Sequence, residues 1–140
     1  MSEETLFTRI VDGEIPSYTV YEDETTYAFL DANPLAPGHT LVIPKTPYER
    51  LNDMPPEEVG DVFETLATVT EAVEAAVGAD ATTIAINNGE EAGQEVPHVH
   101  VHVIPQFANK NSRPIHVLFD GAELSDEEME TIAARIRGDQ

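Results

Sequence analysis

The spacing of apolar residues along the chain alternates between helical and strand periods. Residues 5–12 set Leu6, Phe7, Ile10 and Val11 at helical spacing ahead of Gly13 and Ile15-Pro16, which predicts a short amphipathic helix closed by a turn. Two β-rich runs, Tyr18-Thr19-Val20-Tyr21 and Thr26-Tyr27-Ala28-Phe29-Leu30, flank the polar Glu22-Asp23-Glu24-Thr25 and predict a hairpin. Residues 31–38 carry Pro34, Pro37 and Gly38 and read as a loop, after which residues 39–44 read as a strand stopped by Pro44. From residue 55 to about 77, Val59, Val62, Phe63, Leu66, Val69, Val73 and Ala76 form one stripe of a long helix, with Asp53 and Gly78 as its boundary residues. A strand at 83–87 and a glycine-bearing loop at 88–94 follow. Ser125-Asp126-Glu127-Glu128 matches a capping box that opens a last helix through Ile132 and Ile136. Meandering strands around one long helix, without regular βαβ alternation, predict a single α+β domain built on an antiparallel sheet.

The run from residue 98 to 104 changes the picture from fold to chemistry. Three of the five histidines, His98, His100 and His102, occupy every second position, interleaved with Val99, Val101 and Val103. On a strand this alternation lines one face with imidazoles and the other with valines. Three readings follow. The rings are polar groups on a solvated face; or they hold a metal, with His39 or a carboxylate completing the set; or one ring is a nucleophile. A neutral imidazole attacks phosphorus when one nitrogen is free and the other is held as an N–H donor, while neighbouring rings bond the phosphoryl oxygens.

Composition narrows these readings. Seven Lys and Arg against 27 Asp and Glu give a formal charge of −20 over 140 residues, which opposes general binding to nucleic acid or anionic membranes. With Lys45 and Lys110 as its two lysines, the chain is expected to come from a salt-loving organism, where screening shortens the reach of surface charge. The absence of cysteine removes disulfides, thiolate catalysis and cysteine-held zinc. No apolar run approaches the roughly 18 residues of a membrane span, and the acidic start Met1-Ser2-Glu3-Glu4 lacks the basic flank of a signal peptide, so a cytoplasmic location is expected.

The motif from His98 to Ile104 resembles the histidine triad that names the HIT family of nucleotide hydrolases and transferases. Glu14-Ile15-Pro16, Phe29-Leu30-Asp31, the stretch from Pro37 to Lys45 and the stretch from Asn87 to Pro97 are similar to the family's other blocks, in the same order, over roughly residues 5–105. The resemblance implies a five-stranded antiparallel sheet with one long helix and short terminal helices. It implies that His100 attacks the α-phosphorus to form a nucleotidyl-histidine, that His102 bonds a phosphate oxygen, and that His98 orients the site through a relay to His39. Asp31 would take the ribose hydroxyls; Phe7, Ile10, Phe29 and Leu30, with Leu6 nearby, would enclose a purine; Asn87, Gly93 and Gln94 would meet the phosphates. No metal and no cofactor is implied, and the partners are a purine nucleotide, an AMP conjugate foremost, and a second copy of the chain, whose sheet would continue the first.

Asn87 resembles the Hint branch, which cleaves nucleoside phosphoramidates, rather than the Fhit branch of dinucleoside polyphosphate hydrolases, which carries glutamine there. Glu95 departs from the serine that Hint-like sequences share at its position, and a carboxylate beside a phosphate is repulsive unless it meets a cationic leaving group. A nucleotide-sensing module without turnover is the non-enzymatic alternative. Lys45 is either a helper at the pocket or a surface residue. His116 is expected on the surface or at a subunit contact, and the C-terminal extension from about residue 106 has no assigned role.

Overall fold

The computed structural model describes residues 4–108, 110 and 112–138, so residues 1–3 of the acidic start lie outside the described part. Helix α1 (Leu6–Val11) begins at the N-cap Thr5, whose hydroxyl accepts the Thr8 N–H while the Thr8 hydroxyl accepts the Thr5 N–H. Strands β1 (Thr19–Glu22) and β2 (Thr26–Leu30) form the expected hairpin, and the Asp23 carboxylate accepts the N–H groups of Thr25 and Thr26 to close it. Strand β3 (Thr40–Pro44), helix α2 (Pro56–Val77), strands β4 (Ala81–Ala85) and β5 (Val101–Gln106) and helix α3 (Asp126–Arg137) complete the order. The sheet is five-stranded and antiparallel in the order β1-β2-β3-β5-β4.

Cross-strand pairing places Phe29 opposite Leu41 and Leu41 opposite His102, while Ala28 opposes Val42 and Val42 opposes Val101. Opposed residues in an antiparallel ladder share a face, so these rows are the two sides of the sheet. Helix α2 covers the second row, burying Val62, Leu66, Val69 and Val73 against Val42, Val101 and Val103. Helix α1 covers part of the first, joining Phe7 and Ile10 to Tyr27, Phe29, Leu41 and Ile43.

Four expectations are corrected. Asp53 does not cap α2: it ends a 3-10 turn (Leu51–Asp53) and accepts the Arg50 N–H at 3.1 Å, while Pro56 occupies the first position of the helix, where a missing N–H costs nothing. The buried stripe of α2 runs through Thr65, whose hydroxyl meets that of Thr26 at 2.8 Å, and leaves Phe63 41% exposed because it lies to one side of the stripe, while Ala76, near the end of the helix, is exposed at the rim of a groove it shares with Val20, Tyr21 and Leu30. The strand placed at 83–87 runs instead over Ala81–Ala85, the span that pairs with β5. The histidine run enters the ladder only at Val101; His98 and His100 lie in the lead-in, where the Val99 N–H bonds the Tyr48 carbonyl. Gly78 does close α2, in the left-handed conformation at φ 67°.

Beyond β5 the chain becomes an arm. It passes through a 3-10 turn (Ile115–Leu118) into α3, which opens at the capping box of Ser125 and Glu128. Leu118 is 72%, Phe119 73% and Ile136 81% exposed, so this arm adds nothing to the core. No described helix is long and apolar enough to cross a membrane.

Candidate active site

The short reach of α1 leaves the histidine side of the sheet open, and a cleft of about 410 Å³ forms there. Leu6, Phe7 and Ile10 from α1, Phe29 from β2 and Leu41 from β3 make its apolar wall. Asp31, His39, His100 and His102 line the polar side, with Asn87, Gly93 and Glu95 from the loop before the histidines. Asp31 and Glu95 are the charged side chains at this lining; no lysine or arginine is among them.

His100 is held in one tautomer. Its Nδ1–H donates to the carbonyl of His98 at 2.8 Å, which leaves the lone pair on Nε2 as the nitrogen available to a ligand. The ring is buried to 8% exposure and meets the edge of Phe7 at 5.0 Å between centroids.

A second chain of bonds sets His102. The Leu35 N–H donates to His39 Nδ1 at 3.0 Å, so His39 carries its proton on Nε2 and donates to His102 Nδ1 at 2.9 Å. His102 in turn keeps its proton on Nε2, an N–H donor beside the free nitrogen of His100. Burial pulls His102 down to about 4, reinforced by His100 and His39 and opposed by Asp31. Burial lowers His39 too, against the pull of Asp31, whose Oδ2 lies 3.6 Å away. His39 is therefore neutral near pH 7, and its approach to Asp31 is not an ion pair. The other Asp31 oxygen accepts the Asn33 N–H at 2.8 Å, which fixes the carboxylate at the end of β2.

The relay corrects the assignment of His98, which makes no bond to His39. His98 is fully buried; its Nε2–H donates to the Pro44 carbonyl at 2.8 Å, and its Nδ1 accepts the Thr5 hydroxyl at 2.7 Å. Burial lowers it to about 4, against the Pro44 carbonyl and with the help of His100. The three rings thus do not share one environment, because the first lies beneath α1 rather than in the cleft.

Two further placements differ from expectation. Leu30 does not line the cleft: strand alternation turns it to the groove bordered by Val20, Tyr21, Val69 and Val73. Gln94 is also absent from the lining, because its amide is spent on the loop, accepting the Gly89 N–H at 2.7 Å and donating to the carbonyls of Glu49 and Val96. Gly93, at φ 99°, adopts a backbone that favours glycine and lies beside Asn87. Lys45 pairs with Glu22 at 2.8 Å outside the cleft, and His116 is exposed on the arm.

Asp31, His39 and His102 bring three ligating atoms within 4.8 Å of one another, a set of the kind that holds a divalent ion. An ion there would have to break the 2.9 Å bond between the two rings, and neither His98 nor His100 belongs to the set. Sequence reasoning missed Thr5 and the Leu35 N–H. The Thr5-x-x-Thr8 spacing signals a helix cap, but nothing local joins residue 5 to residue 98.

Known proteins are similar to this chain in sequence and in fold. An Arabidopsis thaliana adenylylsulfatase is 37% identical over 106 residues, 76% of this chain and 54% of that protein. The asymmetrical bis(5′-nucleosyl)-tetraphosphatase of Schizosaccharomyces pombe is 41% identical over 92 residues, 66% of this chain and 50% of its own length. The chain thus spans about half the length of either enzyme. A crystal structure of a Streptococcus mutans protein superposes with a TM-score of 0.88 at 36% identity, covering 99% of this chain and 86% of that one. The family model described as the HIT domain matches residues 12–109, and the chain belongs to the HIT domain family.

Proposed function

We propose that this protein is a nucleotide hydrolase or transferase that attacks the α-phosphorus of a purine nucleoside phosphoramidate, or a related AMP conjugate, through a nucleotidyl-histidine on His100. The bond from His100 Nδ1–H to the His98 carbonyl carries the reading, because it leaves Nε2 unprotonated and turned to ligand. Nε2 forms a bond to phosphorus as the bond to the leaving group breaks. The Nε2–H of His102, set by His39, bonds a phosphoryl oxygen where charge is held in the transition state. Water then attacks phosphorus, releasing the nucleoside monophosphate and restoring His100. Asp31 takes the ribose hydroxyls, Asn87 and the Gly93 backbone face the phosphate, and the base lies against Phe7, Ile10, Phe29 and Leu41. The relay occupies both nitrogens of His39 and Nδ1 of His102, and this route calls on no metal and no cofactor.

The cleft's charge favours an amine as leaving group. With Asp31 and Glu95 at the lining and no lysine or arginine among its described residues, a departing polyphosphate meets repulsion, whereas a departing amine does not. Similarity to the yeast tetraphosphatase supports the second reading, a dinucleoside polyphosphate hydrolase. A second copy of the chain is the proposed partner, since the exposed apolar side chains of the arm call for cover. The acidic composition and lack of cysteine support a cytoplasmic setting in a salt-loving organism.

The test is turnover of adenosine 5′-phosphoramidate against diadenosine tetraphosphate in molar potassium chloride, with magnesium and with chelator, trapping any covalent nucleotidyl-enzyme. His100→Ala is expected to lower AMP release by at least about a thousandfold, roughly 4 kcal/mol in barrier, while nucleotide affinity stays within about threefold. Preference for the dinucleotide would move the assignment to the second reading. Binding without turnover of either substrate would make the protein a nucleotide-sensing module.

A further inference from the structure

The assignment of His100 leaves one part of the triad without a chemical task. His98 is fully buried, does not line the cleft, and has both ring nitrogens bonded to protein. What it presents toward the reaction is its backbone carbonyl, the acceptor that sets the His100 tautomer. The geometry of that carbonyl depends on what holds His98 in place, and one of its two ring anchors comes from 93 residues away in sequence.

We propose that Thr5 is a positioning residue for the nucleophile, acting through His98 to aim His100 Nε2 at the phosphorus. This rests on the reading of His100 given above. Thr5 is 8% exposed and its hydroxyl has two partners: it accepts the Thr8 N–H at 3.1 Å and lies 2.7 Å from His98 Nδ1. The Pro44 carbonyl accepts from His98 Nε2, so Nδ1 has a lone pair and the Thr5 O–H is the donor. The bonds converge on His98, from the Thr8 N–H through the Thr5 hydroxyl to its ring and from the His100 ring to its carbonyl. Phe7, two residues into α1, packs edge-on against both rings, at 5.5 Å from His98 and 5.0 Å from His100. The six-residue helix and its N-cap thus supply both a wall of the cleft and the anchor of the lead-in that carries the nucleophile.

The hydroxyl is needed for direction and not only for filling space. Thr5→Val keeps the shape but leaves His98 Nδ1 as a buried acceptor without a donor. His98 then turns on its remaining anchor at Pro44, the carbonyl moves with it, and Nε2 of His100 loses alignment. Small misplacements of a reacting atom cost up to about a hundredfold in rate.

The experiment measures nucleotidylation of His100 in a single turnover with saturating adenosine 5′-phosphoramidate, per folded molecule. Thr5→Val is expected to slow this step by roughly tenfold to a hundredfold with nucleotide affinity within about threefold, and Thr5→Ser, which restores the donor, to recover it to within about threefold. Thr65→Val is the control, removing a comparable buried hydroxyl pair on the far side of the sheet. It should lower the melting temperature without slowing the step. A wild-type rate in Thr5→Val, or equal losses in Thr5→Val and Thr65→Val, would overturn the proposal. Should Thr5→Val not fold, nitrogen-15 spectra of the wild-type histidines decide: His98 must carry its proton on Nε2 and His100 on Nδ1, and the opposite tautomer of either ring would overturn it. Nucleotidylation that persists in His100→Ala would instead overturn the reading of the site itself.

Discussion

The two faces of the sheet are built from alternate residues of the same strands, yet one is sealed and the other is open. On one side Val42, Val101 and Val103 meet α2, which runs 22 residues and spans β2, β3, β5 and β4. On the other, Phe29 and Leu41 meet α1, which has six residues and stops short of His102. Helix length accounts for the difference. A helix rises about 1.5 Å per residue, so α2 extends roughly 33 Å and α1 roughly 9 Å. The uncovered part of the histidine face is where the cleft forms, and the rings there are set by bonds to protein while Nε2 of His100 and of His102 stay open to a ligand. A histidine at an alternate strand position is a surface group or a buried group according to which helix lies over it, not according to its spacing.

Acid separates the two faces most strongly. His98 is neutral and buried with its folded pKa near 4, below the ordinary 6.5. A histidine depressed on folding contributes stability that is fully present above 6.5 and is lost as the pH falls from there to about 4. The shift corresponds to about 3 kcal/mol from His98, and His102, lowered to about 4 as well, adds a smaller amount because it is partly exposed. Asp23, held near 2 despite its partial burial by the N–H groups of Thr25 and Thr26, contributes stability that is present above its ordinary 3.8 and is lost only as the pH falls from there to about 2, so the two windows are distinct. Urea unfolding followed from pH 7 to pH 4 should show this loss, and it should shrink in His98→Asn. A flat profile across that range would mean that the histidine face is not buried in the way described.

The sealed face is probed without touching the chemistry. Val69→Ala, at a position 3% exposed on α2, should cost about 2 kcal/mol in chemical denaturation, since the removed methyls leave a cavity that the sheet cannot collapse to fill. Turnover at saturating substrate should stay within about twofold, because sites that share no contacts behave independently. A matching loss in rate would show that the faces are coupled through the strands.

The contrast explains what could be read from the sequence. The Gly78 stop of α2 and the capping box at Ser125 are local signals, and each appears in the structure where its residues stand, whereas the strand period sets β4 two residues late and starts the histidine strand before Val101. Phe7, Ile10, Phe29, Asp31, His39, Asn87, Gly93, His100 and His102 line one cleft, while His98 lies outside it. Leu30 and Gln94 do not line it either. Strand alternation already sets Leu30 on the face opposite its neighbour Phe29, whereas the amide of Gln94 is claimed by the carbonyls of residues 49 and 96, which no linear pattern carries. The relay follows the same rule: His39 pairs with His102 because β3 and β5 are neighbours, a fact of sheet order rather than of spacing.

The arm sharpens the comparison from outside, since it is covered by neither helix. Ser125 accepts the Glu128 N–H at 3.1 Å and the Glu128 carboxylate accepts the Ser125 N–H at 2.9 Å, so Ser125→Ala removes one of these bonds and costs α3 about 1 kcal/mol. In a lone chain that cost stays local, because α3 has no residue in either buried cluster. The main unfolding transition should therefore hold within about 0.3 kcal/mol while helix content falls slightly. In a protein whose arm is covered by a second copy, the same substitution weakens association instead. Its cost then appears as a melting temperature that depends on protein concentration, because only the associated state gains from the cap. Calorimetry of the wild type and Ser125→Ala over a hundredfold range of concentration distinguishes the two, and a shift that is present in concentrated solution and vanishes on dilution would assign the exposed Leu118, Phe119 and Ile136 to a contact between chains.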